Sequence, residues 1–110
     1  MKTIKISGKE YQMTSSAYTQ FAYRDETGRS FLKDVQKLSE ADTNDFEVIL
    51  EMTELLLDIA YVMVKEANPD QVNNKEDFYK GIDKLFEDVN WINEVINLAI
   101  SPLSRQPKAS

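Results

Sequence analysis

The chain has 110 residues, 42% of them apolar, 10% aromatic and 29% charged, with a formal net charge of −6. That is the composition of one globular domain, able to bury a core without metal or disulfides. Cysteine and histidine are both absent, which excludes disulfides, thiolate nucleophiles and thiolate zinc sites, and removes the most common general base near neutral pH.

The charge is unevenly spread. Residues 1–37 carry 7 Lys and Arg against 4 Asp and Glu, whereas residues 38–110 carry 6 against 15. A body this acidic repels phosphates, so nucleic acid is not an expected partner. It favours solubility and steers basic partners. No apolar run follows Met1-Lys2-Thr3-Ile4-Lys5, so no signal peptide is expected. The longest apolar-rich stretch, Leu55 to Val64, is interrupted by Asp58 and is too short to span a bilayer. A soluble cytoplasmic protein is the expectation.

With 3 Gly and 3 Pro, the chain favours a few long elements: a mostly α (α+β) fold, in which a short N-terminal β-hairpin precedes a compact bundle of about five helices. Residues 1–103 read as a single domain (hairpin 1–13, helical body 14–103), and 104–110 as a flexible tail without apolar pattern. In the hairpin, Ile4 and Ile6 alternate with Lys5, and Tyr11 and Met13 with Gln12, at the period of two expected of half-buried strands. A loop at Gly8-Lys9 would pair Ile6 with Tyr11 and Ile4 with Met13, and glycine in its first position suits a type II′ turn.

Thr14-Ser15-Ser16 offers N-cap hydroxyls for a first helix with Tyr18, Phe21, Ala22 and Asp25 at helical spacing, stopped by Gly28. Ser30 can cap a second helix bearing Phe31, Leu32, Val35 and Leu38. A third is expected from about Asp42 or Thr43 to Ala67, ended by Asn68-Pro69. It carries two apolar stripes, one through Phe46, Ile49, Leu50, Thr53, Leu57, Ala60 and Val64, the other through Val48, Met52, Leu55, Leu56, Ile59 and Met63. Such a helix is either buried centrally or keeps a face for a partner. Asn74 can cap a fourth helix with Phe78, Ile82, Leu85, Phe86 and Val89 on one side. Asn90 can cap a fifth, with Trp91, Ile92, Val95, Ile96, Ala99 and Ile100, ending before Pro102.

Catalytic chemistry finds little support. Asp83 and Glu87, and Glu47 and Glu51, lie four apart, but a solvated helix face broken by Lys80 and Lys84 explains the first pair better than a carboxylate dyad. Ser15, Ser16 and Ser30 have no histidine to activate them. Asp42-Thr43-Asn44-Asp45-Phe46-Glu47 lacks the glycine and the oxygen ligand of a calcium loop, and no phosphate-binding loop exists. No catalytic, metal or cofactor site is therefore assigned. Two partner-binding surfaces are candidates: the stripe Met52, Leu55, Leu56, Ile59, Met63, with two adaptable methionines, and the polar corner Tyr23, Arg24, Thr27, Arg29. A core seam is the alternative for the stripe, and helix-terminus pairing for the corner.

Ile4-Lys5-Ile6-Ser7-Gly8-Lys9-Glu10-Tyr11 resembles the start of tail assembly chaperones of long-tailed phages and prophages of Gram-positive bacteria, in which a short hairpin precedes a helical body. Tyr23-Arg24-Asp25-Glu26-Thr27-Gly28-Arg29-Ser30-Phe31 resembles the Thr-Gly step that ends the first helix in that family. These motifs cover about a quarter of the chain; beyond Asp42 the likeness is one of helix pattern and acidity. The resemblance implies an assembly factor of the host cytoplasm, absent from the mature virion. It implies binding to the tape-measure protein, which the factor keeps soluble, and recruitment of tail-tube subunits. It also implies, for many members, a second form extended by ribosomal frameshifting. Self-association is an open alternative for the apolar stripe. The rival reading is a small acidic helical regulator or inhibitor that binds a host or phage enzyme.

Overall fold

The structure is a computed structural model that describes residues 1–42 and 44–103. A two-stranded antiparallel hairpin, β1 (Lys2–Ile6) and β2 (Lys9–Met13), is followed by α1 (Thr19–Thr27), α2 (Phe31–Glu40), α3 (Phe46–Ala67), α4 (Lys75–Lys80) and α5 (Asn90–Ile100), with a 3₁₀ turn at Ser101–Leu103. This is the expected mostly helical architecture; the expected tail at 104–110 lies outside the described residues. The third helix is the axis of the molecule: α1, α2, α4, α5 and β2 all pack on it. Residues Leu56 to Val64 are buried without a break, so its C-terminal half takes the centrally buried alternative for a two-sided apolar helix.

The hairpin buries the four side chains expected, Ile4, Ile6, Tyr11 and Met13, but in a different register. Ile4 pairs with Tyr11 and Ile6 with Lys9, so the loop is Ser7-Gly8 instead of Gly8-Lys9. Moving the partner by two residues preserves the side-chain parity, which is why the buried face is unchanged. Both loop residues have positive φ, 56° at Ser7 and 82° at Gly8, as a type I′ turn requires. The Ser7 hydroxyl oxygen accepts a hydrogen bond from the Lys84 N–H at 2.9 Å, and this distant partner helps to hold the register.

Four helix boundaries also differ from expectation. The first helix starts at Thr19 with no side-chain cap, and Ser16 accepts instead from the Tyr18 N–H just ahead of it. The third helix starts at Phe46, where the Asp45 carboxylate accepts from the Glu47 N–H at 3.0 Å. The fourth stops at Gly81 after six residues, and residues 81–89 continue as turns. Gly81 lies against the hairpin, where an added Cβ would stand 3.2 Å from the Tyr11 hydroxyl, and the Trp91 Nε1–H then anchors the irregular segment by donating to the Leu85 carbonyl at 2.8 Å. The fifth includes Asn90 as its first residue, with the Asn90 N–H bonded to the Asp88 carboxylate at 3.0 Å.

The corner joining α1 and α2 forms as expected. Gly28 is left-handed, with φ 74°, and its N–H donates to the Arg24 carbonyl at 2.8 Å; Ser30 caps α2 by accepting from the Lys33 N–H. No atom lies within 4 Å of a Cβ added to Gly28, so a substitution there meets a conformational cost alone. Gly28→Ala is expected to destabilise by about 1–2 kcal/mol in urea unfolding, the left-handed penalty of an L-residue. Gly28→Asn should lose less, because asparagine tolerates that region.

Candidate protein-binding surface

The first candidate surface does not survive folding as a groove. Leu56, Ile59 and Met63 are buried in the core, and Met52 and Leu55 are half-buried against it. Met52 and Leu56 do line an apolar crevice between α2, α3 and α5, but it measures about 10 Å³, too little for more than a single water. The correction follows from the position of α3: helices and the hairpin pack around it, so its second stripe is a core seam.

The second candidate divides. Tyr23 is fully buried, Thr27 and Arg29 are half-buried, and Arg24 alone is exposed. The Thr27 hydroxyl donates to the Tyr23 carbonyl at 2.8 Å and accepts from the Arg29 N–H at 3.1 Å, closing the corner locally. The Arg29 guanidinium then reaches inward. Its Nε donates to Asp34 at 2.9 Å, and its Nη2 donates to Asp58 at 2.7 Å and to the Tyr23 hydroxyl at 3.0 Å. Tyr23 in turn donates to Asp34 at 2.6 Å. On the other side of Asp58, the Tyr79 hydroxyl donates to its Oδ1, and the Lys75 ammonium approaches the same oxygen at 3.3 Å.

Asp34 and Asp58 are both buried, and a buried carboxylate is tolerated when it is paired and fully hydrogen-bonded. Here two cations and two tyrosines meet that demand. Burial, followed by the hydrogen bond to a carboxylate, raises the phenols of Tyr23 and Tyr79 well above their ordinary range. Bonds to Asp58, Asp34 and Tyr23, in that order, hold Arg29 charged. The arrangement clamps the α1–α2 corner and α4 to the middle of α3, so Tyr23 and Arg29 are parts of the scaffold. Asp34, Asp58, Lys75 and Tyr79 were not singled out from the sequence as a cluster. The one signal was Asp58 itself, a charge inside an otherwise apolar run.

Large exposed apolar side chains lie elsewhere, on the outer face of α1. Of the stripe read along that helix, Tyr18 is 62% and Phe21 63% exposed while Ala22 is half-buried against the core, and Leu32 of α2 is 48% exposed. The buried face is instead Thr19 and Tyr23. The reason is polar. Glu66 near the end of α3 accepts from both the Ser16 and Thr19 hydroxyls at 2.5 Å, and Tyr23 is drawn in by Asp34 and Arg29. Two hydrogen-bonded residues at i and i+4 thereby set the rotation of α1 against a competing apolar pattern.

Two depressions flank the exposed helix. One, of about 180 Å³, is lined by Phe21, Arg24, Phe31 and Leu32 among others. The other is a groove of about 530 Å³ between α1 and the end of α3, lined by Tyr18, Ala22, Tyr61, Val62 and Pro69, with Glu26, Glu66 and Lys65. Aromatic side chains beside an arginine are the composition found at the energetic centres of protein interfaces. A smaller apolar area stands on the N-terminal half of α3, where Phe46 packs edge-on against Phe86 at 5.1 Å and Leu50 is exposed.

Among the described residues no helix is long and apolar enough to cross a membrane, and no group of three or more acidic, His or Cys side chains is placed to hold a metal ion. Comparison of the chain with protein-family models, curated proteins and solved structures finds no match.

Proposed function

We propose that this chain is a non-catalytic assembly factor of the phage tail assembly chaperone type. On this reading it works in the host cytoplasm, binds the tape-measure protein, keeps that long client soluble and helps to recruit tail-tube subunits around it. The observation that carries the binding reading is the exposed Phe21 and Leu32 with Arg24 beside them in one depression, and the exposed Tyr18 on the flanking groove. Large apolar side chains grouped on a small domain favour association with another protein. The phage client comes from the resemblance of the hairpin and of the Thr27-Gly28 step. The acidic body supports the holding role, since it keeps a complex with a sticky client in solution.

Co-expression with the tape-measure protein of a tail operon tests the proposal. The wild-type chain should move the client into the soluble fraction and co-purify with it. Phe21→Glu combined with Arg24→Glu should abolish both effects while leaving the melting temperature near that of wild type, because Phe21 and Arg24 are exposed. A client that stays insoluble beside the wild-type chain, or is recovered equally with the double variant, would sink the proposal.

A further inference from the structure

The groove between α1 and the end of α3 has a pattern of its own. Tyr18, Ala22 and Glu26 succeed one another at intervals of four along α1 and form one wall, a length of about 12 Å at 1.5 Å per residue. Tyr61, Val62 and Pro69 complete an apolar trough. A carboxylate stands at each end. Glu66 is at the Tyr18 end, bonded to the Ser16 and Thr19 hydroxyls, which are neutral donors, and among the described residues no cation is paired with it. Glu26 is at the far end, 3.7 Å from a Lys75 ammonium that is shared with buried Asp58. The cation that lines the trough, Lys65, directs its ammonium to the carbonyls of Pro69 and Val72 at 2.9 and 3.1 Å.

We infer that this groove receives a single amphipathic helix of the client, with apolar anchors in the trough and a basic side chain over each of Glu66 and Glu26. The inference rests on the proposed binding function and deepens it by naming the chemistry of the bound segment. Two observations select this occupant. The groove's length equals about two helical turns, the span over which residues i, i+4 and i+7 of a docked helix present one face. Its carboxylate ends, on a chain of net charge −6, complement a basic segment and repel a second copy of this chain.

The test uses the full chain and two synthetic helical peptides that share leucines on successive turns. One carries Lys two turns apart on the flanks of the leucine face; the other carries Glu at the same positions. Fluorescence anisotropy of the labelled peptides should show the Lys peptide bound at least about tenfold more tightly than the Glu peptide. Ala22→Arg, which fills the trough, and Tyr18→Ala, which removes an exposed wall, should each weaken the Lys peptide by a similar factor. Tyr18→Ala guards against misfolding as the cause, because its side chain is mostly solvent-exposed. No binding of the Lys peptide, equal binding of the Glu peptide, or full binding by both variants overturns the inference.

The same variants in co-expression separate the two levels. If wild type, Ala22→Arg and Tyr18→Ala all keep the tape-measure protein soluble, the groove assignment fails and the chaperone reading stands. If the peptides discriminate as expected but the wild-type chain leaves the tape-measure protein insoluble, the groove stands and the chaperone reading fails.

Discussion

Replacing Asp58 by alanine is expected to lower stability by about 1.5–3 kcal/mol, the worth of hydrogen bonds to a buried charged group whose cationic partners stay partly solvated. The side chain of Asp58 is 3% exposed, and Arg29, Lys75 and Tyr79 all converge on it. Removing the carboxylate leaves the Arg29 guanidinium with Asp34 as its remaining anionic partner and frees the Tyr79 hydroxyl in a half-buried position. Against a total stability of about 5–15 kcal/mol for a domain of this kind, such a loss is a substantial fraction of the margin. Urea unfolding followed by circular dichroism measures it. Asp58→Asn should cost less, since the amide oxygen still accepts from Tyr79. The double substitution Asp58→Ala with Arg29→Met should cost less than the sum of the two singles, because each removes the other's unpaired charge. Strict additivity, or a loss under about 1 kcal/mol for Asp58→Ala, would show that water replaces the carboxylate and that the clamp contributes little.

The same clamp explains what was legible in the sequence and what was not. Elements whose apolar period had no competitor were read well: the alternation Ile4, Ile6, Tyr11, Met13, the run from Leu56 to Val64, and the stripe Trp91, Ile92, Val95, Ile96, Ala99 are all in the core. Local punctuation was equally readable at Gly28, Ser30 and Asn74, each of which acts through atoms a few residues away. The errors share a different cause. The strand register depends in part on Lys84, far along the chain from Ser7. The length of α4 depends on Gly81 meeting Tyr11, and the rotation of α1 on Glu66, Asp34 and Asp58 receiving hydrogen bonds from Thr19, Tyr23 and Arg29. Each of these bonds joins residues that no period connects.

The exposed apolar side chains of α1 were unexpected for that reason. Tyr18, Phe21 and Ala22 have the spacing of a buried stripe, and nothing local distinguishes them from one. Thr19 and Tyr23 offer an equally regular i, i+4 pair on the opposite side, but an apolar count ranks them lower. Once Glu66 and the Arg29 clamp fix the polar pair inward, the aromatic pair must face solvent. Arg24 is the one residue of the expected corner that belongs to the surface, through its place beside Phe21 and Leu32. The residues that hold the fold and the exposed aromatic pair thus occupy opposite sides of one short helix.

Alkaline pH should unfold the protein, with stability beginning to fall near pH 10. Tyr23 and Tyr79 have pKa values raised from the ordinary 10.0 by burial and by their bonds to Asp34 and Asp58; Tyr11 and Tyr61 are raised chiefly by burial. The sign follows from proton linkage. Below pH 10 these phenols are neutral in both the folded and the unfolded chain, and their contribution is fully present. Above it the unfolded chain ionises first and binds fewer protons than the folded one, so stability declines until the folded phenols also titrate. Each such group removes about 1.4 kcal/mol per pH unit in that window, so Tyr23 and Tyr79 together remove close to 3 kcal/mol per unit. Urea unfolding at successive pH values between neutral and strongly alkaline should therefore show a steepening loss above pH 10, while Arg29 remains charged throughout. Tyr79→Phe should start from a lower stability at neutral pH, having lost its bond to Asp58, yet show a shallower decline above pH 10. That opposition of intercept and slope is the signature of a buried phenol titrating late. If phenolate absorbance for these tyrosines instead develops near pH 10 in a chain that keeps its tertiary circular dichroism, the hydroxyls are not held neutral by Asp34 and Asp58 as the geometry requires.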